Sequence, residues 1–232
     1  MTTTEATRSV ADLSESDRAH LIHPNLNGAV TNRCVLVRGE GCRLWDADGT
    51  EYLDGTGGLW LVQVGHGNTE IAEVAAQQMR DLAYFTSFWD FSNNRAIELA
   101  EKLVDIVPGN LTQVFYTSGG SEGNETAIKA ARFYHHRQGH PEKRWILSRN
   151  YAYHGVGYGS GTATGIPEYH EGFGLALPEI EHLTAPYPFH TEFFNGADPT
   201  DFLVDELERT IARIGEDKIA AMIGEPIMGA GG

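Results

Sequence analysis

The chain has 232 residues and a net charge of −15, from 17 basic and 32 acidic side chains. That balance argues against nucleic acid as a partner, because phosphate contacts need clustered Lys and Arg. No uninterrupted apolar run reaches the roughly 20 residues of a membrane helix, and residues 1–18 are polar with no apolar signal core. This opening segment reads as a mobile arm or leading helix of a cytoplasmic protein. Residues 33–37 read as a strand, and 43–46 and 51–54 as a hairpin. Its turn carries Asp48-Gly49, a pair that tolerates positive φ. Cys34 and Cys42 have the spacing of neither a redox pair nor a zinc site and read as reduced thiols in or near these strands. A glycine-rich bend, Gly55-Thr56-Gly57-Gly58, leads into Leu59-Trp60.

Two helices follow by period. Ile71, Val74, Ala75, Gln78, Met79 and Leu82 mark one face of the first. Ala96, Leu99, Ala100, Leu103, Val104 and Val107 mark the second, with Ser92 as its cap and Pro108-Gly109 as its stop. Residues 113–117 read as a strand, 122–135 as a helix and 145–148 as a strand. Residues 155–197 are rich in Gly, Pro, His and aromatics and show no period. Loops this long are uncommon in compact domains unless they serve a function. A helix over 201–214 and a continuous apolar run over 219–223, the signature of a buried parallel strand, complete an α/β alternation.

Polar chemistry gathers at three strand ends. After Thr117, the loop Ser118-Gly119-Gly120-Ser121 opens a helix, so free backbone N–H groups and the positive end of a helix dipole face any anion placed there. Glycines let the backbone approach a phosphate, and a hydroxyl of Ser118 or Ser121 can add a hydrogen bond. An ordinary helix start capped by Ser121 is the equally open structural alternative. Tyr153-His154-Gly155 follows the strand at 145–148. Its aromatics can stack on a flat ring or simply fill a core. Glu225-Pro226 follows the apolar run, and its carboxylate belongs either to a cleft or to a solvated turn.

Taken in order, these segments resemble the class III pyridoxal-phosphate (PLP) aminotransferases. The segment from Thr117 to Ala131, which contains Ser118-Gly119-Gly120-Ser121-Glu122-Gly123-Asn124-Glu125, resembles that family's phosphate-loop and helix segment, Tyr153-His154-Gly155 its aromatic-His-Gly motif, and Glu225-Pro226 its Glu-Pro strand end. Asp46-Ala47-Asp48-Gly49-Thr50-Glu51-Tyr52-Leu53-Asp54 resembles the N-terminal hairpin. Gly58-Leu59-Trp60, with Val64-Gly65-His66-Gly67 and the stretch His20-Leu21-Ile22-His23-Pro24, resembles the ω-amino-acid:pyruvate subgroup. Gly123 stands where the family often has Ala, and Gly120 makes the loop Ser-Gly-Gly-Ser where Ser-Gly-Ser or Ser-Gly-Thr is common.

The resemblance implies PLP-dependent transferase fold type I, with an arm and small-domain segment over 1–66 and the first part of the large PLP-binding domain over 67–232. It implies cofactor contacts at Ser118, Gly119, Gly120, Ser121, Tyr153, His154 and Glu225, and substrate contacts at Leu59, Trp60, Phe88 and Tyr153. It further implies a homodimer, and transfer of an amino group from an ω-amino acid, amine or diamine to a keto acid such as pyruvate. The family's Schiff-base lysine and the aspartate on the pyridinium nitrogen follow the Glu-Pro motif, so both are expected beyond Gly232, and none of Lys102, Lys129, Lys143 and Lys218 stands at the lysine's position. The alternative expectation is a non-catalytic PLP-binding or assembly partner that lacks this lysine. Aminomutases and decarboxylases share the fold. No metal site is expected.

Overall fold

The computed structural model describes residues 8–24, 33–174 and 176–231. Expectations for the first seven residues and for Gly232 lie outside them. The chain divides into two compact units at residues 101 and 102, each described by itself below.

The first unit begins with α1 (Val10–His20). Ser9 caps it, accepting from the N–H of Asp12, whose carboxylate in turn accepts from Ser9. Three antiparallel strands follow in spatial order β1-β2-β3: β1 (Leu36–Glu40), β2 (Arg43–Asp46) and β3 (Glu51–Leu53). The β2–β3 hairpin forms as its turn residues predict, with Gly49 at φ 84°. β1, by contrast, starts and ends three residues later than the apolar pattern suggests. Its register against β2 carries it to the turn at Gly41, through Arg38, Gly39 and Glu40, which read as loop when the strand partner is unknown.

Beyond β3 comes a short turn, α2 (Gly57–Trp60), whose residues all have positive φ. Left-handed backbone costs a non-glycine residue about 1–2 kcal/mol, so Leu59 and Trp60 sit there under strain. The amphipathic α3 (Thr69–Leu82), capped by Asn68, and α4 (Asn94–Ile106) match the periodic segments. The cap of α4 is Asn93 rather than Ser92, since the Asn93 carboxamide oxygen accepts the N–H of Ala96 at 2.9 Å.

The second unit is a parallel sheet of spatial order β5-β4-β6, built from β4 (Trp145–Arg149), β5 (Ile180–Leu183) and β6 (Ile219–Met222). Between them run α5 (Gly120–Arg137), α6 (Tyr158–Ala163) and α7 (Pro199–Ile214), the last capped by Asp198. Ile128 of α5, Ile146 of β4 and Ala163 of α6 form the core, with Ile180, Ala220, Ala221 and Ile223 packed against it. β4 is the central, buried strand. β6 is parallel as expected, but it is only half-buried and pairs with β4 alone among the described residues.

Two expectations fail here. Residues 113–117 form no strand, because they enter no ladder among the described residues, and a strand is a ladder before it is a propensity. The patternless stretch at 155–197 contains α6, which a hydrophobic period cannot reveal because its residues, Tyr-Gly-Ser-Gly-Thr-Ala, are small or polar after the first. No described helix is long and apolar enough to cross a membrane.

Candidate functional site

In the second unit the three motifs meet where the carboxyl ends of β4 and β6 face the amino end of α5. Parallel α/β sheets place ligands at this end of their strands. α5 begins at Gly120, two residues earlier than expected. Gly119 is fully extended just before it, and no side chain caps the first turn. Ser121 is therefore inside the helix and is not its cap. The first-turn N–H groups have no intrahelical acceptor and carry the positive end of the dipole. A Cβ added to Gly119 or Gly120 would meet nothing within 4 Å, so the outer face of the loop is open. Ser118 is exposed beside it.

The Ser121 hydroxyl accepts the N–H of Val156 at 3.2 Å and keeps its own proton to donate. Gly155, at φ 134°, packs so closely on α5 that a Cβ would lie 2.8 Å from Ser121 Oγ and 2.9 Å from Ser121 Cα. Tyr153 is at the surface. Its N–H donates to Glu225 Oε1 at 2.8 Å, while Glu225 Oε2 accepts the N–H of Gly229 at 3.1 Å. The Glu225 carboxylate thus ties the end of β6 to the chain leaving β4.

His154 is buried. Its carbonyl accepts from Asn124 Nδ2 at 2.7 Å, and its N–H donates to Thr164 Oγ1 at 2.9 Å. Its Nε2 has no partner among the described residues. Burial pushes this imidazole below the ordinary histidine range, so it is neutral at pH 7; the Glu225 charge opposes the shift, and nearby His182 adds to it.

Four residues that the motifs do not single out as polar partners hold the site together. Asn124 and Glu125 extend from α5, and Glu125 Oε1 accepts both the N–H and the hydroxyl of Ser160 at 2.7 and 3.0 Å. Thr164 bridges the backbone of His154, Gly155 and Ser160. The available signal is the pair Gly157 and Gly159, where a Cβ would come within 2.4 and 2.6 Å of the Glu125 carboxylate. A hollow of about 270 Å³ lined by Tyr151, Phe193, Asn150 and Thr184 includes none of the predicted site residues.

The remaining predicted residues belong to the first unit. Leu59 and Trp60 stand exposed on α2. Phe88 is also exposed, its N–H donating to Thr86 Oγ1 and its ring 5.9 Å from that of Trp89. No cluster of His, Cys, Asp or Glu among the described residues could hold a metal ion.

The family model for class-III aminotransferases matches residues 26–232. The chain belongs to the class-III aminotransferases. Within that family, this aminotransferase chain is 48% identical to an (S)-enantioselective ω-transaminase from Thermomicrobium roseum, whose crystal structure it matches with a TM-score of 0.93 over 98% of this chain and 52% of that one. It is 35% identical to the diaminobutyrate–2-oxoglutarate transaminase of Halomonas elongata, over 95% of this chain and 49% of that protein. A thermostable ω-transaminase, engineered at a tryptophan, a phenylalanine and an arginine for asymmetric synthesis of enantiopure bulky amines, matches with a TM-score of 0.89 at 35% identity, over 95% of this chain and 50% of that one. The chain spans about half the length of the curated relatives it matches. The α/β architecture is that of the PLP-dependent fold type I transaminases, as the motifs imply.

Proposed function

We propose that this chain is the N-terminal part of a PLP-dependent aminotransferase that moves an amino group from an ω-amino acid, amine or diamine to a keto acid such as pyruvate. The observation that carries the reading is the convergence of Ser121, Tyr153-His154-Gly155 and Glu225 on the uncapped start of α5. These residues fit a phosphorylated aromatic cofactor. The open faces of Gly119 and Gly120 leave room for a phosphate, the first-turn N–H groups supply donors, and His154 Nε2 is a buried nitrogen still in need of a partner.

When bound, PLP supplies an electron sink for the bond changes at the amino-bearing carbon. In this reading Gly120 and Ser121 would hold its phosphate, with Ser118 and Gly119 at the loop's outer edge, and the Tyr153 ring would stack on the pyridine. Neutral His154 supports Tyr153 from within the fold. Glu225 fixes the Tyr153 backbone so that the ring keeps one orientation. Leu59, Trp60 and Phe88 contact the amino donor. In support, the tryptophan and phenylalanine replaced in the engineered ω-transaminase have the same spacing in sequence as Trp60 and Phe88. The lysine and the pyridinium-binding aspartate would come from beyond Gly232.

The same reading makes the intact enzyme a cytoplasmic homodimer, with 1–66 as arm and small-domain segment and 67–232 as part of the large domain. Exposed Tyr84, Phe85, Phe88, Trp89 and Phe91 favour an assembly that covers them. The test is Ser121→Asp in the full-length enzyme, followed by equilibrium PLP binding. A carboxylate facing the phosphate should weaken retention by at least about tenfold. Unchanged affinity would overturn the assignment of the loop.

A further inference from the structure

In the first unit, Gly57, Gly58, Leu59 and Trp60 have φ of 57°, 61°, 63° and 64°. Glycine adopts this backbone freely, whereas leucine and tryptophan do so only where the surroundings over-determine it. The side chains do not supply that determination, since Leu59 and Trp60 are 67% and 59% exposed. It comes from Asp54. One oxygen of its carboxylate accepts the N–H of Gly58 and the Nε2–H of His66, each at 2.8 Å. The other accepts the N–H and hydroxyl of Thr56, each at 3.2 Å. The Asp54 side chain is only 5% exposed.

His66 is itself fixed by the strands. Its backbone exchanges two hydrogen bonds with Gly41, at 2.9 and 2.8 Å. Its side chain packs on Gly39, where a Cβ would lie 2.7 Å from His66 Cβ, and a Cβ at Gly67 would lie 3.1 Å from the Gly39 carbonyl. A continuous line of contacts thus runs from the β1–β2 hairpin through the imidazole and carboxylate to the N–H of Gly58. The turn then closes on itself, with Trp60 N–H bonded to the Thr56 carbonyl at 2.9 Å and Leu61 N–H to the Gly57 carbonyl at 3.0 Å.

We propose that Asp54 and His66 are positioning residues that hold the left-handed turn so that Trp60 keeps one orientation, and that through Trp60 they set the size of amino donor the enzyme accepts. The proposal rests on the assignment of Trp60 to the amino donor. Asp54 and His66 do not touch the reacting atoms. They act by denying the indole the alternative positions that a relaxed turn would allow.

The test is a double-mutant cycle in the full-length enzyme, read as the ratio of kcat/KM for a bulky arylalkylamine to that for a small aliphatic amine. Trp60→Gly should raise the ratio by about tenfold. Asp54→Asn keeps the size of the side chain but replaces one accepting oxygen by an NH2 donor, so either Gly58 and His66 or Thr56 lose their acceptor. It should raise the ratio by about threefold, and the double variant should match Trp60→Gly alone. A purely structural loss would lower both activities together and leave the ratio unmoved. If Trp60→Gly shifts the ratio while Asp54→Asn leaves it unchanged, or if the two effects multiply, the positioning role is wrong and the donor assignment of Trp60 stands. If Trp60→Gly itself does nothing, the donor assignment fails and the proposal falls with it. His66→Gln, which keeps an amide donor, carries the same cycle with a smaller shift should Asp54→Asn not fold.

Discussion

Gly155 and Gly123 both border the first turns of α5, and their surroundings give them opposite tolerance. A methyl group at Gly155 would collide with Ser121 Oγ and Cα and with Ser160 Oγ, at a backbone angle that disfavours any side chain. Gly155→Ala should cost about 1–3 kcal/mol and displace the chain that carries Tyr153. At Gly123 the same methyl would meet only Thr117 Oγ1, at an ordinary 3.4 Å. Gly123→Ala should therefore raise stability by up to about 1 kcal/mol, because alanine is the better helix former. Thermal unfolding of the two variants of the full-length enzyme checks both signs. That Ser121, Tyr153, His154 and Glu225 come together was legible in the sequence, because each sits in a short motif beside a strand or helix end. The roles of Asn124, Glu125 and Thr164 were not, because their partners stand 30, 35 and 10 positions away.

Elements were legible where the signal is local and illegible where it depends on a partner. The hairpin of β2 and β3 announces itself through Asp48-Gly49, and the structure adds a polar anchor behind that turn. Asp46 accepts the Tyr52 hydroxyl and the N–H groups of Asp48 and Thr50, at 2.8, 3.0 and 2.8 Å. The Tyr52 bond, ahead of the backbone ones, holds the Asp46 carboxyl below the usual range, and the same bond pushes the Tyr52 phenol up to about 12. The signs are opposite at the two ends of the pH scale. Asp46 stabilises the hairpin above the unfolded carboxyl value near 3.9, and this is lost as pH falls through its lowered folded value. Tyr52 stabilises it below about 10, and this is lost as pH rises toward 12. Ultraviolet titration should show one phenol ionising near pH 12 that disappears in Tyr52→Phe. Ionisation of every tyrosine near 10 would refute the coupling. The strand expected at 113–117 and the helix missed at 158–163 are the converse cases: one has propensity without a ladder among the described residues, and the other has a packed place without a hydrophobic period.

At the scale of the molecule, the buried His154 and the half-buried His182 make the second unit sensitive to acid. Desolvation lowers both His154 and His182, and each has an Nε2 without a partner among the described residues. Because the folded values lie below the unfolded value of about 6.5, the unfolded chain takes up protons first as pH falls. The associated stability is complete above about 6.5 and is lost downward through the folded values. Denaturant unfolding at a series of pH values should show this decline beginning near 6.5, well above the carboxylate range, and it should be shallower when both histidines are replaced by glutamine. A flat profile down to pH 5 would contradict the assignment. The α/β class and the parallel sheet follow from the alternation of apolar runs and amphipathic helices. The division into two units at residue 101 does not, because it falls inside α4, where the helical period continues without a break.

The hydrogen bond from Tyr153 to Glu225 joins residues 72 positions apart. During synthesis, β4 can pair with β5 long before β6 leaves the ribosome, and the start of α5 is present earlier still. The backbone of Tyr153 therefore stays untethered until Glu225 has been made. The open start of α5 is thus made before the chain that carries Tyr153 can be fixed beside it, in the order that translation imposes.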